Sequence, residues 1–428
     1  VLPGLIRSSL KKALFEGQEV VFRNRIPRLG EKLHDIEELG VYLHIPFCEQ
    51  ICPYCPYNRE LYQEHVAQRY AAAVMAEIDR YAELLENRPV TSLYIGGGTP
   101  TTMISSGLRD ILEHASRRLN IQCDVHMESH PNHLDAARLE AVAAMGVKQI
   151  SIGVESLQDR HLRTLKRPYT VAEVKAAVAR AVARDFKCVN VDVIFALPGQ
   201  TYAEVEETGR ALVEMGVDQV AAYPLFVFPY TPMAQAGKSF TYRTAGVFRR
   251  RKMLGILEKH LYGAGFRRTS AWAFTRPGVP KYCSVTVPLY VGLGASGSTY
   301  LNDVFYLNTF SVAAYIQAVE AGRLPIALCA ELSEKLQMAG WLYWRIYATR
   351  FRKSEFVRRV GREFDEIYGR YTNLGSRLGL LKEGNGSVVL SDAGTYWLHA
   401  LEDLFSINYI NKLWGVMKRD PWPREVVL

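Results

Sequence analysis

Between residues 41 and 225 the chain repeats one unit six times: a short apolar, β-branched run, then a longer stretch with helical spacing. The runs are VYLHIP (41–46), TSLYI (91–95), a segment at 121–128, KQISIGV (148–154), CVNVDVIFAL (188–197) and DQVAAYPL (218–225). Helical spacing fills 65–85, 105–118, 133–144, 170–184 and 202–215; from about 240 the rhythm fails, with a further helix at 244–264. Short loops in such an alternation imply a parallel sheet, because every strand is re-entered from the same end. Right-handed crossovers then curl that sheet into a barrel or part of one. The expected fold is α/β, a (βα)6 partial TIM barrel, with its chemistry at the C-terminal ends of the strands.

The first strand runs into FCEQICPYC, which places Cys48, Cys52 and Cys55 in a C-x3-C-x2-C spacing. Three thiolates this close suit three irons of a [4Fe-4S] cube and leave the fourth iron open for a chelating ligand, such as an amino acid's amine and carboxylate. A structural zinc site would need a fourth ligand, and no second cluster accompanies this one; the residue after Pro56 is Tyr57. Other strand ends supply partners for a ligand on that iron. Gly96, Gly97, Gly98 and Thr99 follow the second strand and let backbone approach a ligand without a Cβ in the way. Glu128 ends the third and can take a hydroxyl or ammonium proton. Arg167 can clamp a carboxylate in two-pronged fashion, and Asp192 can pair with ribose hydroxyls.

The rest of the chain is plainer. Residues 1–39 read as a mostly helical or irregular lead-in, 40–240 as the barrel, 241–325 as a region capping it, and 326–428 as a mostly helical C-terminal part. There, LLKEGNGSVVLSDAGTYWL reads as a hairpin around Gly384, Asn385 and Gly386 followed by a helix, a winged-helix-like end. It is read as structural, since no basic recognition helix stands out. The formal charge of +8 gathers after residue 240, in Arg249 to Lys252 and in Arg350, Arg352, Lys353, Arg358 and Arg359. A solvated face or an anionic small substrate is expected there, not nucleic acid. No apolar run is long enough to span a membrane, and the region of Lys11, Lys12 and Arg23 lacks a signal-peptide core. Cys123, Cys188, Cys283 and Cys329 are scattered, as buried core cysteines are. The whole pattern is that of a reduced, cytoplasmic protein.

In order and spacing, YLHIPFCEQICPYC, IGGGTP, MESHP, ISIGVES and VNVDVIFALPGQT resemble the radical S-adenosylmethionine (SAM) enzymes related to oxygen-independent coproporphyrinogen oxidase. The likeness is clear over about residues 40–310 and looser in the tail. It implies a radical SAM barrel in which the open iron binds the methionine part of SAM, and an electron from the cluster splits the sulfonium to give a 5′-deoxyadenosyl radical. By position, Tyr42 resembles the tyrosine near the first SAM, and Gly97, Gly98, Thr99 and Glu128 its backbone and acid contacts. Glu155, Arg167 and Asp192 occupy three further cofactor positions, and Phe226 and Ser298 resemble contacts to a second SAM in the capping region. Glu155 departs from the glutamine of several relatives; an acid there favours a cationic neighbour. An electron donor such as flavodoxin or ferredoxin is implied.

Within that family, coproporphyrinogen oxidases carry a PRYTSYPT-like motif and a fourth cysteine where this chain has Tyr57. The heme-chaperone relatives carry an HNxxYW-like motif where this chain reads PKYCSVTVPLYVGLG. Both absences turn the expectation toward the class C methyltransferases. These use two SAM molecules to place a methyl or methylene group on an sp2 carbon of an aromatic or conjugated substrate, by methylation or cyclopropanation. Heme- or porphyrin-directed activity is the alternative: anaerobic heme degradation, coproporphyrinogen decarboxylation, or heme delivery without catalysis. Trp272, Phe274, Tyr282 and Tyr290 are candidates to line a flat aromatic pocket, and Arg267, Arg268 and Arg276 to meet an acidic substrate.

Overall fold

The computed structural model describes residues 17–236, 245–282 and 288–428. Cys283, and Lys11 and Lys12 of the lead-in, lie outside the described residues. The six expected barrel strands form at Leu39–Ile45, Pro89–Gly97, Val125–Ser129, Val147–Glu155, Cys188–Phe195 and Gln219–Pro224. They lie side by side in that order, each parallel to the next. Side chains alternate across a strand. In the fifth, Val189, Val191, Val193 and Phe195 face one way, into the apolar layer shared with the helices, while Asn190 and Asp192 face the other. The same alternation separates Val41, Leu43 and Ile45 from Tyr42 and His44 in the first. The sheet thus has an apolar outer face and a polar inner one.

The helices form where sequence and capping agree. Thr170 and Thr201 each open a helix with a full capping box closed by Glu173 and Glu204, a device worth about 1 kcal/mol per helix. The extended run at 121–128 is two strands, not one: Asn120–Ile121 pairs with the second barrel strand, and Val125–Ser129 is the third.

The barrel stays open. Beyond its first strand, Tyr290–Leu293 adds in parallel, then Ser298–Tyr300, Val304–Asn308 and Ile326–Glu331 follow antiparallel, and Val21–Arg23 and Glu425–Val427 finish the sheet. The lead-in therefore contributes a strand to the main sheet as well as a short helix, Leu29–Leu33. Its partners are three to four hundred residues away, so nothing local signals the pairing. Beyond the sixth strand, Ala273–Thr275 adds antiparallel.

The C-terminal part builds its own core from Trp341, Phe351, Phe356, Phe364 and Tyr368. Its hairpin turns at Asn385 and Gly386, both with positive φ (50° and 70°), as a tight hairpin requires. With Arg350–Arg352 as a third strand and helices packed on it, this is the winged-helix-like arrangement expected. The last helix, Asp392–Met417, runs back to the barrel. Cys188 and Cys329 are buried and Cys123 is partly buried. Among the described residues no helix is long and apolar enough to cross a membrane.

One buried acid ties the added strands to the barrel. Glu77, fully buried in the helix Glu64–Leu85, accepts hydrogen bonds from Gly294 N (2.8 Å), Asn308 Nδ2 (2.8 Å) and Tyr315 OH (2.6 Å). Glu77→Ala orphans these three donors and is expected to lower stability by about 2–4 kcal/mol, read as a lower urea midpoint at constant slope. Burial pushes the Glu77 carboxyl up to about 7 from 4.5. Between those values the folded chain binds more proton than the unfolded one, so this contribution to stability falls as pH rises through the window. Glu77→Gln is expected to lose that slope.

Candidate active site

The first barrel strand ends at Ile45, and the cysteine loop starts two residues on. Neighbouring strand ends hold the loop in place. Gly98 N donates to Ile45 O (2.7 Å) and Thr99 N to Phe47 O (2.8 Å). A Cβ on Gly98 would lie 2.6 Å from Phe47 O, and one on Gly97, whose φ is +119°, would lie 2.7 Å from the His44 ring. Only glycine allows this approach. His44 bridges Tyr42 OH (2.8 Å) and Asn58 O (2.9 Å), and burial lowers its pKa to about 4, so the ring stays neutral. Arg59 Nη2 donates to Cys52 O (2.8 Å), and the buried His133 ring meets Glu49 at 3.1 Å.

Cys48 and Cys52 are buried, and Cys48 Sγ lies 3.6 Å from Thr99 Oγ1. Burial pushes the Cys48 thiol up to about 12 and raises that of Cys55. Such thiols stay protonated until a metal ion displaces the proton from sulfur. Among the described residues, no three His, Cys, Asp or Glu side chains could close on a single ion. A cube asks for something else, one thiolate on each of three irons, and a single loop with three part-sheltered thiols fits that demand.

The polar inner face carries the acids. Glu128 accepts from Tyr94 OH (2.6 Å) and from Gly97 N (3.0 Å), and burial raises its pKa. Asp192 accepts from Ser151 Oγ (2.6 Å) and Asn190 Nδ2 (3.1 Å). Burial pushes its carboxyl up to about 7, with the charges of Glu155 and Glu128 adding to the effect. Glu155 stands at the end of the fourth strand with φ 65°, a strained conformation for a side-chain-bearing residue. That twist turns it to Arg167, whose Nη2 lies 3.0 Å from Glu155 Oε1. The cation that an acid at position 155 calls for is therefore Arg167. Arg167 also donates to Gly153 O (2.8 Å), Tyr169 OH (2.6 Å) and Cys52 Sγ (3.0 Å), so it joins the acids to the cysteine loop.

The structure thus gathers Tyr42, Gly97, Gly98, Thr99, Glu128, Glu155, Arg167 and Asp192 around the mouth that the three cysteines border. The other two candidates lie on elements flanking this set. Phe226 lies between Leu225 and Val227, which pack on the cysteine loop, but its ring meets Trp272 at 6.3 Å. Ser298 lies on an added strand with its hydroxyl bonded to Tyr290, and its main chain crosses so close that a Cβ on Gly292 would fall 2.2 Å from Ser298 O.

The aromatic segment does not form one pocket. Tyr282 packs on Tyr94 (5.2 Å) inside the barrel, while Trp272 packs on Phe195 (6.3 Å) and Phe274 on Tyr262 (5.7 Å) across the sheet. Alternation along Ala273–Thr275 and the turn after it split the set. Arg268 is taken up by Glu258 and Asp392, and Arg276 donates to Val217 O, so neither reaches the mouth.

Other residues roof the mouth. Tyr57 is 52% exposed there. Its ring meets Trp414 of the C-terminal helix (6.3 Å), which also meets Tyr230 (6.5 Å). Lys418, capping that helix, donates to Pro56 O and Tyr57 O (3.2 and 3.3 Å). Trp414 and Lys418 escaped the sequence reading because nothing in the pattern of an apolar helix tells which turn meets a loop more than three hundred and fifty residues earlier.

Residues 42–212 match the radical SAM superfamily. The chain is 24% identical over 362 residues to the heme chaperone HemW of Bacillus subtilis (strain 168), covering 83% of this chain and 96% of that protein. It is 27% identical over 305 residues to the anaerobilin synthase of Escherichia coli O157:H7, covering 69% of this chain and 68% of that protein. The fold is that of the Escherichia coli coproporphyrinogen III oxidase HemN, a radical SAM enzyme, with a TM-score of 0.77 at 20% identity over 90% of this chain and 94% of that one. These findings support the radical SAM assignment, the likeness to the coproporphyrinogen oxidase family and the cofactors, a [4Fe-4S] cluster and SAM. They give no support to the methyltransferase branch.

Replacing Cys48, Cys52 or Cys55 by alanine is expected to cut iron in the anaerobically reconstituted protein from about four per chain to below about one, with loss of the cluster's visible absorbance. Iron analysis beside the unaltered protein checks this.

Proposed function

We propose that this chain is a radical SAM enzyme acting on a heme- or porphyrin-type macrocycle. The observation that carries the reading is the roof of the mouth: Tyr57, Tyr230 and Trp414 bring aromatic surface next to the cysteine loop, with Lys418 and Arg59 beside them. A planar conjugated acid suits such a surface through stacking and charge. The relatives named a heme chaperone and an anaerobilin synthase point to the same ligand class.

In this reading Cys48, Cys52 and Cys55 hold the cluster, which when bound supplies the electron that splits SAM. The residues of the chain do the rest. Gly97, Gly98 and Thr99 offer backbone to SAM, Glu128 and Asp192 accept its ammonium and hydroxyl protons, and Arg167 takes its carboxylate while Glu155 balances the guanidinium. Tyr42 closes the pocket from the first strand. Phe226 and Ser298 are the candidates for a second SAM, as methyl or methylene transfer requires, and a macrocycle offers sp2 carbons to such a transfer. The second reading is heme delivery without turnover, favoured by the length over which the heme chaperone aligns.

Anaerobic incubation with heme, SAM and a reductant separates these. A catalyst yields 5′-deoxyadenosine in proportion to altered heme. Tight, stoichiometric heme binding with neither product marks delivery, and the absence of both binding and turnover removes the heme-directed reading. With methyl-deuterated SAM, deuterium in 5′-deoxyadenosine marks methyl or methylene transfer, and its absence marks abstraction from the substrate itself.

Because the Asp192 carboxyl is pushed up to about 7, its acceptor form grows as pH rises through that value. SAM affinity is expected to strengthen about tenfold from about pH 6 to pH 8, and Asp192→Asn to flatten that dependence. Equilibrium binding of SAM across the range reads it directly.

A further inference from the structure

Beside the mouth, across the sixth barrel strand, lies a cavity of about 390 Å³. It is lined by Pro224, Trp272 and Tyr396, with Arg250, Asp403 and Asn411 bringing polar groups into it. Trp272 packs on Phe195, which faces away from Asp192 along the same strand, so the cavity is separate from the barrel interior. Its size is that of a small-molecule site. Two of its polar atoms, Arg250 Nε and Asn411 Oδ1, are shielded from solvent with no hydrogen-bond partner. Unpaired polar atoms at such depth are costly and rare, and both lie in the wall of the same space.

The cavity also adjoins the mouth. Three residues beyond Asn411 on the same helix is Trp414, one turn or less away. The residue after Pro224 is Leu225, which packs with Cys52. A ligand seated under Trp414 can thus extend along the helix to Arg250.

We infer that this cavity receives a carboxylate-bearing arm of the substrate, with Arg250 as its clamp and Trp272 and Tyr396 as walls for the ring edge from which the arm springs. A guanidinium is suited to a carboxylate in both charge and shape. The Asn411 amide, turned by half a rotation, presents Nδ2 to the same group. Asp403 borders the same space; burial pushes its carboxyl up to about 7, while the Arg250 charge pulls it down. The arm displaces part of that pairing, and the protonated form of Asp403 can donate to the second oxygen. The inference rests on the macrocyclic-acid reading proposed above and adds to it the position of the acid.

The test uses anaerobically reconstituted protein with its cluster and SAM, titrated with heme and with heme dimethyl ester, whose acids are masked. The unaltered protein is expected to bind heme at least about tenfold more tightly than the ester. Arg250→Gln is expected to erase that preference by weakening heme while leaving the ester unchanged. Asn411→Asp, which sets a second acid against the carboxylate, is expected to do the same. Iron content reports folding; where Arg250→Gln loses iron, Asn411→Asp decides. Retention of the full preference by the correctly folded variants overturns the inference and leaves the heme-directed reading standing, as does equal binding of heme and ester by the unaltered protein. No binding of either ligand by the unaltered protein removes both.

Discussion

Arg167 is the interaction on which the site's geometry turns. Its guanidinium reaches Cys52 Sγ, Glu155, Gly153 O and Tyr169 at once, with only 9% of its side chain exposed. A buried cation is tolerated only when its donors are matched, and here each partner sits on an element that must be placed correctly for the mouth to exist. Cys52 belongs to the loop after the first strand, and Gly153 and Glu155 to the end of the fourth. Losing the guanidinium would leave Glu155 buried without its counter-charge and would free the cysteine loop on that side. Glu155 holds its positive φ because this partner rewards it.

A parallel sheet usually buries apolar residues on both faces. This one does so only outward. Inward it carries Tyr42, His44, Tyr94, His126, Glu128, Ser151, Asn190 and Asp192, a set that needs partners inside the fold. Much of the need is met by mutual hydrogen bonds, and the acids nearest the mouth are left with raised pKa values. That is the mark of groups arranged for a ligand that stabilises their charge rather than for the stability of the chain alone.

The C-terminal helix adds the surfaces outside the barrel mouth. Its first turns pack against the winged-helix-like part, its face from Tyr396 to Asn411 borders the cavity, and its far end sets Trp414 and Lys418 over the cysteine loop. A single element therefore borders both the cavity and the cysteine loop.

The strand–helix alternation, the C-x3-C-x2-C loop and the Gly96 to Thr99 turn were legible in the sequence because each rests on local chemistry. Periodicity shows which face is buried, thiol spacing shows a cluster, and glycines show a close approach. Glu128 could be found for the same reason, as an acid near a strand end, whereas Arg167 lies past the short helix Asp159–Thr164 and Asp192 lies inside the fifth strand, so their approach to the mouth came from the fold. The sequence also placed the hairpin at Asn385 and Gly386, where positive φ demands those residues. It did not show the strand at Val21–Arg23, the division of Trp272 from Tyr282 across the sheet, or the approach of Trp414 and Lys418 to Tyr57. Those depend on partners hundreds of residues apart and on which face of an extended segment turns inward. The free energy that settles such choices comes from burial and pairing in the finished fold, and no stretch of the chain carries it alone.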